Sequence, residues 1–449
     1  MIKFKDRINP PNPLLQGGIS VYFKIAILLS ILGFGNANAQ KTYTHIALIN
    51  ATAHIGNGKI IENSIVVINK NKLEMVNSIT GIRLNPSAYD TVIDLSGKHI
   101  YPGLINTNNI LGLHDAEAVR ATRDFSEVGN INPHIRTLIA YNTDNIITPT
   151  VKTNGILYTQ ATPRDGLISG SSSIMALEGW NWEDAVLKAD DGIHLSFPKA
   201  ITRKFTEEEG LSVASNKNYN TEINYLNKFF DDAQAYCLTT NAAEKNIRFE
   251  AMRGVFNGTA NLYLHAEKAK DIMSVINFVK KYNIKKPVIV GGKESYKITA
   301  ALKKNNIPVM LNRVNDLPDN ADDGVDMVFS TPSLLQKDSV LFCLQLEGDM
   351  EAAQSRNLPF NAGMAVAYGL TKEEALASIT SNAAKILGVE KEIGTLEEGK
   401  LASLVVSDGD ILDMKTNNII LAYIAGKNIG LTNKQTELYL KYKTKYGIK

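Results

Sequence analysis

Across residues 42–430 the chain alternates short apolar runs with polar, turn-rich gaps, and the character of those runs changes twice. Over 42–100 the β-branched stretches 43–50, 64–69 and 91–94 are separated by Gly56-Asn57-Gly58, Asn69-Lys70-Asn71 and Pro86-Ser87, which predicts short strands and no long helix. Residues 100–105 form an apolar strand that enters the turn Asn106-Thr107-Asn108-Asn109. From there to 387, runs at 155–160, 174–177, 261–265, 287–290, 307–311, 326–329 and 340–344 predict strands interleaved with helices. In 271–282, Ile272, Val275, Ile276 and Val279 fall on one face of a helix. Thr371 and Glu374 form a capping box that opens another helix, with Ala375, Leu376 and Ile379 on one side. After Gly388 the pattern returns to turns and strands at 393–400, 404–409 and 419–425, and 436–446 predicts a solvated terminal helix.

Repeated strand–helix units predict an α/β chain whose centre, 100–387, is a (β/α)8 TIM-like barrel. The strand-rich flanks, 40–99 and 388–449, are expected to pair into one small composite β-sandwich, because chain ends tend to meet in space. With 449 residues, 44% hydrophobic and 21% charged, the chain has enough apolar surface for that core.

The front of the chain changes the picture. Lys3, Lys5, Arg7 and Lys24 precede an apolar run over 25–34, followed by the small-x-small pattern Ala37-Asn38-Ala39. This order predicts a secretory signal over 1–39, cleaved before Gln40. The apolar run is shorter than the roughly 20 residues of a membrane span, so no span is expected after cleavage. The protein is therefore expected to be exported, periplasmic or extracellular. Removing that segment takes away the four cations and Asp6, and the net charge falls from +2 to −1. No field remains to attract nucleic acid. Cys237 and Cys343 are compatible with one long-range bridge or with two buried thiols, and no CxxC pair exists.

Three stretches carry a family resemblance. The run 374–388 with its continuation 393–406 is the most specific, followed by the entry strand 97–105, and by His265-Ala266 with Asp271-Ile272. The chain resembles the amidohydrolase superfamily, in particular the imidazolonepropionase-like members, over nearly all of 42–430. The resemblance implies hydrolysis of non-peptide C–N bonds with one or two divalent metals. It also implies a ligand set of His-x-His on the first strand, one histidine each from the fifth and sixth strands, and an eighth-strand aspartate. Here Asn108 and Ile110 stand at the first pair, His265 at the fifth strand, Gly291 at the sixth, and Leu346-Glu347 at the eighth, with Asp349 as a displaced substitute. One imidazole cannot build that centre, so no metal ligand is assigned and no cofactor is expected beyond a weak or rearranged single zinc.

What remains defines the candidate site. His265, Glu267 and Asp349 are the candidate catalytic groups, with His265 and Glu267 spaced to share a strand face as an acid–base couple. Asn108, His114, Arg164 and Arg356 are the candidate substrate contacts. Arg164 lies in the hydroxyl-rich stretch 162–173, read as a loop able to hold a carboxylate or phosphate or to close a strand connection. Trp180 and Trp182 are read as packing a lid onto the barrel. Three functions remain: a hydrolase of degraded metal site, a non-catalytic subunit that binds a small or peptide-like ligand or pairs, as a homo- or hetero-oligomer, with a metal-competent relative, or a metal-free enzyme using His265 and Glu267 as its acid–base pair.

Overall fold

A computed structural model describes residues 44–116, 118–206, 210–239, 244–319 and 323–448. The expected signal segment, 1–39, lies outside these residues. Two sheets dominate. The first joins the chain ends: β1 (His45–His54), β2 (Ile60–Asn69), β3 (Lys72–Ser78), β4 (Thr91–Asp94) and β5 (His99–Pro102) come from the front. The second sheet holds β6 (Leu104–Asn109), β7 (Ile156–Ala161), β8 (Ile168–Ala176) and β9 (Val186–Ser196). After a two-stranded hairpin, β10 (Ile201–Thr206) and β11 (Gly210–Ser215), it continues with β12 (Asn261–Ala266), β13 (Pro287–Gly291), β14 (Val309–Leu311) and β15 (Phe342–Leu344). Finally β16 (Leu404–Ser407), β17 (Ile419–Ile424) and β18 (Lys427–Asn428) return to the first sheet, where β16 pairs antiparallel with β5.

In the small sheet the period of two is explicit. Leu48, Val66, Ile68, Ile100, Leu404 and Val406 bury into one cluster, while the alternating Ala47, Ile65 and Val67 bury into another. The bridge between Lys72 and Leu401 brings β3 back to the segment before β16. The sheet thereby curls over its own core and joins both flanks.

The second sheet is an eight-stranded barrel in the order β6 to β9 then β12 to β15, and the bridge between Thr107 and Gln345 closes it. One strand departs from the parallel expectation. β8 pairs antiparallel with both β7 and β9. The stretch 162–173 is accordingly no extended loop: residues 162–167 turn, and Ile168–Ala176 is fully buried strand. The run 326–329 is not a strand but opens the helix Met327–Lys337, where Thr331 and Leu335 bury one turn apart. A four-residue apolar run cannot separate those outcomes. β9 escapes the apolar reading because Lys188, Asp190, Asp191 and Gly192 interrupt it.

Helices cover the rest of the barrel. Ala269–Tyr282 buries Ile272, Val275, Ile276 and Val279, each contributing roughly 1.5–3 kcal/mol of hydrophobic stabilisation, and ends on Asn283 in the left-handed region. Thr371 and Glu374 exchange both capping-box bonds at the start of Lys372–Ser378. Lys434–Tyr446 buries none of its residues. Among the described residues no helix is long and apolar enough to cross a membrane. Cys237 and Cys343 are free thiols.

Candidate functional site

The C-terminal ends of β6, β7, β12 and β15 converge on a buried polar centre, at the end of the barrel where loops gather. Asn108 organises one side. Its φ of +50° is a conformation asparagine tolerates better than most residues. Its N–H donates to Gln160 Oε1 at 3.0 Å and its Nδ2 donates to Glu347 Oε2 at 2.8 Å. Arg164 then donates to Asn108 Oδ1 at 3.1 Å and to its carbonyl at 2.9 Å, and pairs with Glu351 at 2.9 and 3.2 Å. Burial by itself would raise the Glu347 carboxyl. The Arg164 guanidinium, His265 and Asn108 outweigh it and hold this group well below the ordinary carboxylate range. Glu351 is pushed up by burial in spite of Arg164.

The other side is a relay with assignable protons. Asp191, 1% exposed, accepts from Ser172 Oγ at 2.6 Å, from Gln160 Nε2 at 3.0 Å, and from the Tyr263 hydroxyl. Burial raises its carboxyl while these three donors oppose the shift. Because the Ser172 proton goes to Asp191, the 2.9 Å contact between His194 Nε2 and Ser172 Oγ has the histidine as donor. His194, kept neutral by burial, then accepts at Nδ1 from His265 Nε2–H at 3.0 Å. His265 Nδ1 faces Glu347 Oε2 at 3.7 Å.

The predicted residues separate accordingly. Asn108, Arg164 and His265 are brought together, with Arg164 committed to Asn108 and Glu351 rather than open to an incoming anion. Glu267 is not the partner of His265: it accepts from the Lys293 N–H at 3.0 Å, and burial raises its carboxyl. Asp349 sits on an exposed turn beyond β15, and the carboxylate that reaches the centre is Glu347. Arg356 is exposed, using its carbonyl to accept from Asn154. His114 packs edge-on against Phe125, and its buried Nδ1 meets no partner among the described residues. Trp182 packs on the barrel core, whereas Trp180 is 92% exposed. Both lie between β8 and β9, at the end of the barrel opposite the polar centre, because β8 runs in reverse.

Sequence reasoning missed His194, Asp191 and Tyr263. His194 and Asp191 sit on β9, whose charged middle hid the strand. The only signal for Tyr263 was its spacing, two residues before His265 on the same strand.

The metal that the family resemblance implies can be tested against these side chains. Gly291 has φ +95°, and a Cβ built on it would meet Glu267 Oε1 at 2.3 Å. The Glu267 carboxylate thus fills the space into which a sixth-strand ligand would project. Ile110 offers no lone pair, and His265 Nε2 is committed to His194. Among the described residues no group of three or more His, Cys, Asp or Glu side chains is arranged to hold a metal ion. The side chains at these positions do not fit the centre that the resemblance implies.

Comparison with known proteins adds the lineage. The chain is 33% identical over 102 residues to the 5-methylthioadenosine/S-adenosylhomocysteine deaminase of Symbiobacterium thermophilum, covering 23% of this chain and 22% of that protein. It is 54% identical over 43 residues to the imidazolonepropionase of Maricaulis maris, covering 10% and 11% respectively. The matches thus span about a fifth and about a tenth of those relatives. Among solved structures, an amidohydrolase from Thermotoga maritima MSB8 is similar with a TM-score of 0.73 at 23% identity, over 86% of this chain and 99% of that one. A Xaa-Pro dipeptidase with bound methionine is similar with a TM-score of 0.53 at 13% identity, over the same shares. At these identities the structures speak for the fold alone. Residues 183–429, more than half of the chain, match the amidohydrolase family model. With the barrel and the sheet built from both flanks, the match establishes that the chain belongs to the amidohydrolase family.

Proposed function

We propose that this hydrolase-like protein is exported, does not run the metal-dependent hydrolysis of its family, and uses the barrel mouth to bind a small ligand. One observation carries the reading: the Glu267 carboxylate stands where a side chain at 291 would enter the centre. The Asn108–Arg164–Glu351 and His265–His194–Ser172–Asp191 networks support it, because they satisfy internally the polar groups that a metal-activated water would use. The similarity to an imidazolonepropionase and to a 5-methylthioadenosine/S-adenosylhomocysteine deaminase supports a hydrolase lineage. His265 Nδ1, beside Glu347, is placed to orient a ligand.

Metal analysis of untagged, dialysed protein is the direct test, with less than about 0.1 divalent ion per chain expected and no thermal stabilisation by added zinc. Retention of about one ion per chain, with amidase activity lost to a chelator and restored by the metal, would overturn the reading. For export, amino-terminal sequencing of protein from the native host should begin at Gln40, and an intact residue 1 would remove that part.

A further inference from the structure

Among the described residues, three cations at the mouth, Arg164, Lys293 and Lys268, are held by partners, and Arg313 is not. Arg164 is held by Asn108 and Glu351. Lys293 contacts Asp316 at 3.2 Å and Asp319 at 2.7 Å, and Lys268 contacts Glu294 and Asp319. Arg313, which follows β14, is half-buried, and among the described residues its guanidinium has no hydrogen bond or ion pair. Its backbone N–H alone is bonded, to Asn312 Oδ1 at 2.8 Å. Guanidinium donors kept partly out of water without a protein acceptor carry a cost that a ligand supplying the acceptor would relieve.

The surroundings favour that use. Arg313 lines a cavity of about 200 Å³ with Glu267, Leu311 and Asn312, at the C-terminal ends of β12, β13 and β14, and the two acids that also line it, Asp316 and Asp319, are both paired with Lys293. Gly348 (φ +130°) leaves room beside it, since a Cβ there would stand 2.9 Å from Nη2. Across the same cavity Glu267 is engaged by a single backbone N–H, so acceptor capacity remains on its carboxylate.

Resting on the reading of the mouth as a ligand site, we propose that this cavity binds a small amide-bearing carboxylate, with the carboxylate in the fork of Arg313 and the amide N–H directed to Glu267. A planar guanidinium matches a carboxylate through two parallel bonds. No bond is made or broken in this binding step.

Titration calorimetry of the full chain with N-acetylglycine, and with its uncharged carboxamide analogue, tests the proposal. The wild type should bind N-acetylglycine at least tenfold more tightly than the carboxamide. Arg313→Met should weaken N-acetylglycine binding by about 10- to 100-fold, the scale of a charge-assisted bond. Arg313→Lys should fall between, and near-UV circular dichroism should show both variants folded. Equal binding to wild type and Arg313→Met, equal binding of the two probes, or no binding of N-acetylglycine up to about 20 mM would each overturn it. Metal analysis on the same samples separates the outcomes, because a resident ion would defeat the proposed function whatever Arg313 does.

Discussion

Arg164→Met removes the guanidinium that faces the buried Glu351 and the half-buried Glu347. In the folded protein the Arg164 and Glu351 side chains are 15% and 5% exposed, and Glu347 owes much of its ionisation to the same cation. Methionine keeps most of the apolar stem but strands both acids and frees the Asn108 carbonyl. Breaking a buried pair in this way costs about 3–5 kcal/mol, a large share of a typical total of about 5–15 kcal/mol. Urea unfolding followed by far-ultraviolet circular dichroism at neutral pH measures the loss.

The pH dependence supplies a second readout. Glu347 titrates below its unfolded value in the wild type, so its stabilisation is present above that unfolded value and is lost as pH falls through the folded one. In Arg164→Met burial prevails, the folded value moves above the unfolded one, and the sign reverses. The deficit against wild type should therefore narrow between about pH 7 and pH 4. Arg164→Met/Glu351→Met, which removes the pair together, should recover about 1–4 kcal/mol of the loss. A deficit under about 1 kcal/mol, or one that does not narrow on acidification, would refute the account of Arg164 as the internal counter-ion of the barrel.

Other outcomes follow from the same structure. Gly291→Ala places a methyl group against Glu267 Oε1 in a left-handed backbone conformation, and should destabilise by about 1–3 kcal/mol in urea unfolding. Adding Glu267→Gly should relieve the contact but not the backbone strain, so only partial recovery is expected. Thr371→Ala deletes the N-cap of Lys372–Ser378 and should cost about 1 kcal/mol in the same assay, whereas Thr371→Ser should be near neutral.

How far the sequence foretold this molecule depends on which force decided each element. The helix Ala269–Tyr282 and the cap at Thr371 were legible because apolar period and side-chain capping are local. Turn chemistry and strand runs marked the strands of the two flanks, while their pairing was expected only from the tendency of chain ends to meet in space. β9 was not legible, since Asp191 is tolerated inside the barrel only through donors from Gln160, Ser172 and Tyr263, which lie on other strands. The reversal of β8 was hidden because a fully buried strand reads the same in either direction. At the mouth, position alone placed His265, but whether its neighbour would be Glu267, Glu347 or Asp349 depended on the turn after β15. Arg313 gave no sequence signal, because its distinction is the lack of a side-chain partner among the described residues.

The reversed strand has a consequence for how the chain assembles. In an all-parallel barrel every neighbouring pair waits for a long crossover to close. Here β7, β8 and β9 follow one another as a meander joined by residues 162–167 and 177–185, so three adjacent staves can zip together from nearby sequence. That corner should nucleate ahead of the rest, and in pulse-labelling exchange its amides should gain protection before those of β13 to β15.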